Sequence, residues 1–326
     1  MLQLLQGFWA SRAVYAAAKL GIADLLKDGP KSSDDLAALT GTHPPSLYRL
    51  MRALSSIEVF SEDDQKCFAL TPLGSTLRSD VPGSLRYVAI EEMGENHYPA
   101  WEKLLHSLKT GAIAFDHVYG KSKWQYMGEH PEEARIFDQA MASFSGIIAA
   151  AVTEAYDFSS SGVVADIGGG NGSLLAAVLK SAPQTRGILF DVPHVSETAR
   201  PRLASEGLAD RCEVVGGDFF KSVPRADLYT LRWIIHDWND EQSAAILRNC
   251  RDAMTPGGKV LLIEAVVQPG PATAFSKFMD LNMLVMTGGR ERTAGEYRDL
   301  FHAAGLKMTR IIPTHTEMSV IEAVSL

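Results

Sequence analysis

The sequence predicts an α/β protein in two parts, a helical domain over residues 1–155 and a doubly wound, mostly parallel sheet over residues 156–326. Three observations carry this reading. From about residue 160 short apolar runs alternate with helical stretches, the pattern of βαβ units. Before that point apolar residues recur at helical spacing, and a Ser/Gly break from Phe158 to Gly162 marks the change. The first apolar run of the second half leads straight into the turn Asp166-Ile167-Gly168-Gly169-Gly170-Asn171-Gly172.

In chain order, the first twenty residues superficially match a secretory leader. No basic residue precedes Arg12, however, and Arg12 and Lys19 interrupt the apolar run. Leu5, Phe8, Trp9, Val14 and Ala16 to Ala18 fit a broad helical face, so a helix of the mature protein is expected, with the cytoplasm as default address. Residues 31–80 give a Ser- or Asp-capped helix stopped at Gly41. A second helix follows two prolines, and a small hairpin comes after an acidic turn, which together make a winged helix-turn-helix pattern. This module has five basic against seven acidic residues, and its hairpin turn carries Glu62-Asp63-Asp64. Phosphate contacts need Lys and Arg, so packing or dimerisation is expected here rather than DNA binding.

In the second half, strands are expected at 163–168, 186–191, within 211–218, at 226–233 and at 258–267. Helices should follow from Gly172, from Glu241, from Phe275 to Met286 and from Thr293 to Ala304. Two runs around Thr314-His315-Thr316 should form a hairpin that adds an antiparallel edge. Composition agrees with a globular chain: 46% of the 326 residues are hydrophobic and 21% charged, which excludes a disordered, collagen-like or disulfide-scaffold protein. Cys67, Cys212 and Cys250 have no paired spacing and read as reduced, mostly buried thiols. The net charge of −8 disfavours a nucleic-acid partner. No run reaches the roughly 18 uninterrupted apolar residues of a membrane span.

The glycine turn carries the first chemistry. Gly168, Gly170 and Gly172 let the backbone turn tightly and approach a ligand. Their spacing does not fit the dinucleotide pattern G-x-G-x-x-G, whose last position would be Ser173 or Leu175. An acid two residues before alternate glycines suits S-adenosylmethionine, whose ammonium Asp166 can help hold. Asp191 ends the second strand, where a carboxylate can accept ribose hydroxyls. Asp218 and Phe219 follow the third, where a carboxylate and a ring can meet an adenine. His236 lies just past the fourth strand, Glu264 on the fifth, and Glu291 in the loop before the last long helix. No cluster with metal-ligand spacing is visible.

With these residues in view, the chain resembles the metal-independent O-methyltransferases of the caffeic acid and hydroxyindole O-methyltransferase type, in particular their bacterial small-molecule branch. The match runs through GFWASRAVYAAAKLGIADLL, LYRLMRAL, LTPLG, AWEKLLHSLKTG and FDQAM, then DIGGGNG, FDVPHV, GGDFF, LRWIIHDWND, GGKVLLIE and GGRERT. The resemblance implies a Rossmann-like methyltransferase sheet behind a winged-helix-like dimerisation domain, and a homodimer in which one subunit adds to its partner's pocket. It implies that His236 is the general base, flanked by Glu264 and Glu291, and it adds Arg232 to the cofactor contacts. For the acceptor, an aromatic small molecule bearing a hydroxyl, it implies Phe137, Met141, Phe278 and Asn282. Asn96, His97 and Tyr98 stand where the family's pocket segment does not align position for position. The chemistry is coherent: imidazole can take a phenolic proton, and a carboxylate on the other ring nitrogen fixes the tautomer. Two other classes compete: a winged-helix regulator that senses the cofactor, and a family member that has lost methyl transfer and serves as a hydroxylase or a binding protein.

Overall fold

The computed structural model describes residues 1–271 and 275–326. The chain divides into two compact units, Met1–Pro99 with Met127–Phe144, and Ala100–Tyr126 with Ser145–Leu326. This interleaved division differs from the single cut near residue 155 expected from the sequence. The reason is apolar burial. Ala100, Ala114 and Phe115 pack in one cluster with Val285 and Met286, which draws residues 100–126 to the second unit.

The first unit contains the winged-helix pattern. Strands β1 (Lys31–Ser32), β2 (Phe60–Glu62) and β3 (Cys67–Leu70) form an antiparallel sheet in the order β1-β3-β2. Ser32 caps the helix Ser33–Thr40 by accepting from the Asp35 amide at 3.1 Å, and Gly41 ends that helix with φ 66°. Two prolines open the next helix, Pro44–Ser55, where a missing N–H costs nothing. Leu36, Leu47, Met51, Leu54, Phe60 and Phe68 close the core beneath. The first helix, Leu2–Lys19, buries only Ala17 and Ala18 completely, and leaves Leu2, Leu4, Leu5, Phe8 and Trp9 exposed.

The 25-residue helix Pro131–Ala155 starts in the first unit and ends in the second. By length and composition it is apolar enough to cross a membrane, although charged and polar residues interrupt its apolar run. Ile136, Ala140, Ile148, Ala149, Ala151 and Val152 of this helix are buried inside the protein.

The second unit holds a seven-stranded sheet: β4 (Val163–Ile167), β5 (Arg186–Asp191), β6 (Cys212–Gly216), β7 (Ala226–Arg232), β8 (Met254–Ala265), β9 (Leu306–Pro313) and β10 (Met318–Ser325). Their order is β6-β5-β4-β7-β8-β10-β9, with β4 to β8 parallel and β10 antiparallel to both its neighbours. The antiparallel strand is therefore not the edge strand. Val320 to Ala323 of β10 are buried and need cover on both faces, whereas the half-polar β9 tolerates the edge. Strand order reverses between β4 and β7, which places a ligand crevice beyond the carboxyl ends of these strands. The cysteines are all free; Cys250 is buried, and Cys67 and Cys212 are half-buried rather than interior.

Candidate active site

The glycine turn leaves β4 with left-handed backbone at Gly168, Gly170 and Gly172, at φ 67°, 55° and 76°. Gly168 has a packing reason as well: a Cβ there would sit 2.3 Å from Ile234 Cδ1. The turn is fastened to the end of β5. The Gly168 amide donates to the Phe190 carbonyl at 2.8 Å, and the Gly170 amide donates to Asp191 Oδ2 at 2.9 Å. Asp191 Oδ1 accepts from the Val192 amide at 2.7 Å. Burial raises the Asp191 carboxyl above its ordinary range, and these two amides pull it back.

Asp166 is buried beneath the turn. Its Oδ1 accepts from Thr230 Oγ1 at 2.7 Å, while its Oδ2 has no partner. Burial pushes its pKa up to about 6, against the pull of Thr230 and Arg232. Arg232, two residues along β7 from Thr230 and so on the same face, has a buried Nη1 that also lacks a partner. Asp218, two residues beyond the end of β6, is more open: its Oδ1 accepts from the Phe220 amide at 2.9 Å and its Oδ2 lies 3.4 Å from Lys221 Nζ. Phe219 belongs to an aromatic group with Phe220 and Trp238, its ring centroid 5.0 Å and 6.0 Å from theirs.

Beyond β7, Trp233 takes a left-handed conformation, φ 54°, and throws the chain into a tight 3-10 turn over Ile235–Asp237. This turn presents His236, which is almost fully buried. Glu264, next to Ile263 on the neighbouring β8, ties the turn down: its Oε1 accepts from the amides of Ile234 at 3.1 Å and Ile235 at 3.0 Å. Its Oε2 lies 3.8 Å from His236 Nδ1. Glu291 comes from the loop after the helix Phe275–Met286, and its Oε1 is 2.7 Å from the same Nδ1. The loop fits there because residue 289 is glycine, since a Cβ would stand 1.9 Å from the His236 carbonyl oxygen. Asp237 Oδ1 lies 3.9 Å from the other ring nitrogen, Nε2.

Two buried carboxylates, Glu264 and Glu291, and the half-buried Asp237 thus surround one imidazole. Burial alone would lower the pKa of His236, but Glu264, Asp237 and Glu291 outweigh it and raise the value to about 10. Burial lifts Glu264 to about 7 and Asp237 to about 6. Glu264 Oε2 and Glu291 Oε2 have no hydrogen-bond partner. Ligand atoms of His236, Glu264 and Glu291 all lie within 4.8 Å of one another, so the fold creates a set able to hold a metal ion that no spacing in the sequence announces.

The four residues expected to line the acceptor form two pairs, each at i, i+4 on one helix face. Phe137 and Met141 are half-buried in the first unit. Phe278 and Asn282 belong to the second unit, where Phe278 is 64% exposed and Asn282 Oδ1 accepts from the Trp101 indole at 2.8 Å. Asn96 and His97, left open by the sequence, are buried, and Asn96 Nδ2 donates to Glu133. Sequence reasoning missed Thr230, Asp237, Trp238 and Lys123. Period-two alternation from Arg232 could have found Thr230. Asp237 and Trp238 adjoin His236 in the chain. Lys123, buried and close enough to favour the ionised form of Asp237, left no signal.

Known proteins place this architecture. Residues 101–307 match the O-methyltransferase domain and residues 2–80 the O-methyltransferase dimerisation domain. The phenazine O-methyltransferase PhzM of Lysobacter antibioticus is 48% identical over 324 residues, covering 99% of this chain and 95% of the relative. The mitomycin biosynthesis 6-O-methyltransferase of Streptomyces lavendulae is 41% identical over 314 residues, covering 95% and 89%. A phenazine-1-carboxylate N-methyltransferase of Pseudomonas aeruginosa is 34% identical over 323 residues, covering 98% and 96%. The crystal structure of LaPhzM superposes with a TM-score of 0.97 at 47% identity, over 100% of this chain and 98% of the other. NcsB1, an O-methyltransferase from neocarzinostatin biosynthesis solved with S-adenosylmethionine and 2-hydroxy-5-methyl naphthoic acid, gives 0.85 at 34% identity, over 97% and 96%. With both domains matched and identity this high across almost the whole length, the chain belongs to the O-methyltransferase family of enzymes.

Proposed function

We propose that this enzyme transfers a methyl group from S-adenosylmethionine to a hydroxyl of a planar aromatic small molecule, with His236 as the base. The observation that carries this reading is the buried His236, its Nδ1 2.7 Å from Glu291 Oε1. The donor set suits the cofactor. Asp166 Oδ2 and Arg232 Nη1, one acceptor and one donor, are buried and unpartnered beside the glycine turn, and they complement the ammonium and carboxylate of the methionine end. Asp191 is assigned to the ribose hydroxyls, and Asp218 and Phe219 to the adenine. When bound, S-adenosylmethionine supplies an electrophilic methyl on a sulfonium.

The protein's part is proximity and proton management. Nδ1 is engaged with Glu291, so Nε2 is the atom that takes the acceptor's proton. Glu264 holds the turn and, with Glu291, stabilises the imidazolium that forms. The 2.7 Å between Nδ1 and Glu291 Oε1 is a hydrogen-bond distance, whereas Glu264 Oε2 stands 3.8 Å from the same nitrogen and acts on the ring by its charge. Because the surrounding carboxylates hold the free ring protonated, it must shed that proton before accepting another, and turnover should rise with pH through the alkaline range.

His236→Ala tests the assignment. S-adenosylhomocysteine should bind as before by calorimetry, while kcat falls by roughly 10²- to 10⁴-fold. Full turnover in that variant would remove the base from the scheme. For the acceptor, a hydroxyphenazine is the first probe, because a phenazine enzyme is 48% identical to this chain, and a hydroxynaphthoate is the second. A nitrogen acceptor is the second reading, favoured by the Pseudomonas relative. The chemical shift of the transferred methyl separates the two. Leu2, Leu4, Leu5, Phe8 and Trp9 expose one apolar helix within the segment that matches the dimerisation domain, and we assign that helix to a homodimer interface.

A further inference from the structure

We propose that Arg292 is a positioning residue for methyl transfer: its guanidinium fixes the turn that carries His236, and turnover depends on its forked geometry rather than on its charge alone. This rests on the reading of His236 as the base. Arg292 has no exposed surface. Its Nε and Nη2 both donate to Asp240 Oδ1, at 3.0 and 2.8 Å. Nη1 donates to the Ile235 carbonyl at 3.1 Å and the Arg290 carbonyl at 3.2 Å. Nη2 also donates to the Trp238 carbonyl at 3.0 Å and to Ser243 Oγ at 3.2 Å. The acceptors at 235 and 238 bracket His236, so the guanidinium spans the turn like a staple.

The backbone of the same segment is fastened on both sides. The Arg290 amide donates to the His236 carbonyl at 2.8 Å, and the Val267 amide donates to the Arg292 carbonyl at 3.0 Å, two residues beyond the end of β8. One short stretch, 289–292, thus joins the His236 turn, the strand bearing Glu264, and Glu291 itself. A fully buried guanidinium is costly to desolvate, and here all three nitrogens are used. Lysine, a point charge on a flexible stem, cannot reach residues 235, 238, 240 and 243 together.

The experiment compares Arg292→Lys and Asp240→Ala with wild type and with His236→Ala. For each, the measurements are circular dichroism, the S-adenosylhomocysteine dissociation constant, kcat and KM for the acceptor, and kcat against pH. For Arg292→Lys we expect native secondary structure, cofactor affinity within about threefold, an unchanged acceptor KM, kcat lower by about 10- to 100-fold, and a displaced pH limb. Asp240→Ala removes only one of the anchors and should shift kcat and the limb in the same direction by a smaller factor, and it decides the matter if the lysine variant does not fold. A kcat within twofold of wild type with an unmoved pH profile would overturn the proposal. So would a loss of kcat matched by an equal loss of cofactor binding or folded fraction. Wild-type turnover in His236→Ala would instead strike the base assignment on which the proposal stands.

Discussion

Two buried acidic centres in the second unit make an instructive pair. Glu322 on β10 is almost fully buried and surrounded by donors. Its Oε2 accepts from Tyr156 at 2.7 Å, Lys259 at 3.0 Å and Arg310 at 3.0 Å, and its Oε1 from Thr309 at 2.7 Å and Arg310 at 3.0 Å. Burial pushes this carboxyl up, yet Arg310, Thr309, Tyr156 and Lys259 together bring it down to about 2. Around His236 the balance is reversed. Three acids face one imidazole, two carboxylate oxygens are left without partners, and Glu264 is raised to about 7. The Glu322 carboxylate has its lone pairs filled from within the fold. Those beside His236 are left short of donors, at a cost in stability.

The largest expected effect follows from removing one charge at the His236 centre. Glu291→Gln should lower kcat by about 100-fold or more. It should also move the alkaline limb of the pH–rate profile downward, because the imidazolium loses a carboxylate, while thermal stability stays near wild type or rises. A variant that loses several degrees of Tm along with its activity would erase the contrast between the two centres.

Glu322→Gln should do the opposite. It leaves charged donors short of an acceptor and should cost roughly 1–3 kcal/mol of stability at neutral pH with turnover unchanged. The pH dependences should also diverge. The folded pKa of Glu322 lies below the ordinary carboxylate value, so its stabilisation is present above about 4.5 and is lost as pH falls through about 2. The folded pKa of Glu264 lies above it, so its contribution is full below about 4.5 and is lost as pH rises through about 7. Urea unfolding of wild type and of Glu322→Gln and Glu264→Gln variants between pH 3 and 8 reads both slopes. Parallel curves would dissolve the distinction.

The smallest effect belongs to Phe278, which is largely exposed and joins neither centre. Phe278→Ala should leave stability within about 0.5 kcal/mol and raise the acceptor KM severalfold without changing the cofactor dissociation constant. An unchanged KM would take this residue off the acceptor list.

Much of this was legible in the sequence, because the signals are local. Strand runs, the Ser cap and Gly stop of the helix Ser33–Thr40, and the glycine turn each depend on residues a few positions apart. The β5 boundaries, 186–191, agree with the expectation to the residue. The identities of His236, Glu264 and Glu291 were also readable, through short motifs. Their convergence was implied only by the resemblance and by no local pattern: Glu291 meets the His236 ring across 55 residues of chain, and Glu264 meets the Ile234 amide across 30. Nothing in the periodicity says that both acids face one nitrogen, or that Arg292 closes the same turn.

The sequence by itself determined the elements, the order of motifs and the class of chemistry, since backbone propensity, hydrophobic period and residue type act over a turn or two. Only the tertiary structure decided that β10 runs inside the sheet while β9 takes the edge, that residues 100–126 join the second unit, and that the indole of Trp101 occupies Asn282. Those outcomes depend on which apolar surfaces and polar atoms find partners once distant segments are brought together, and that competition is settled by burial across the whole chain rather than by any window of it.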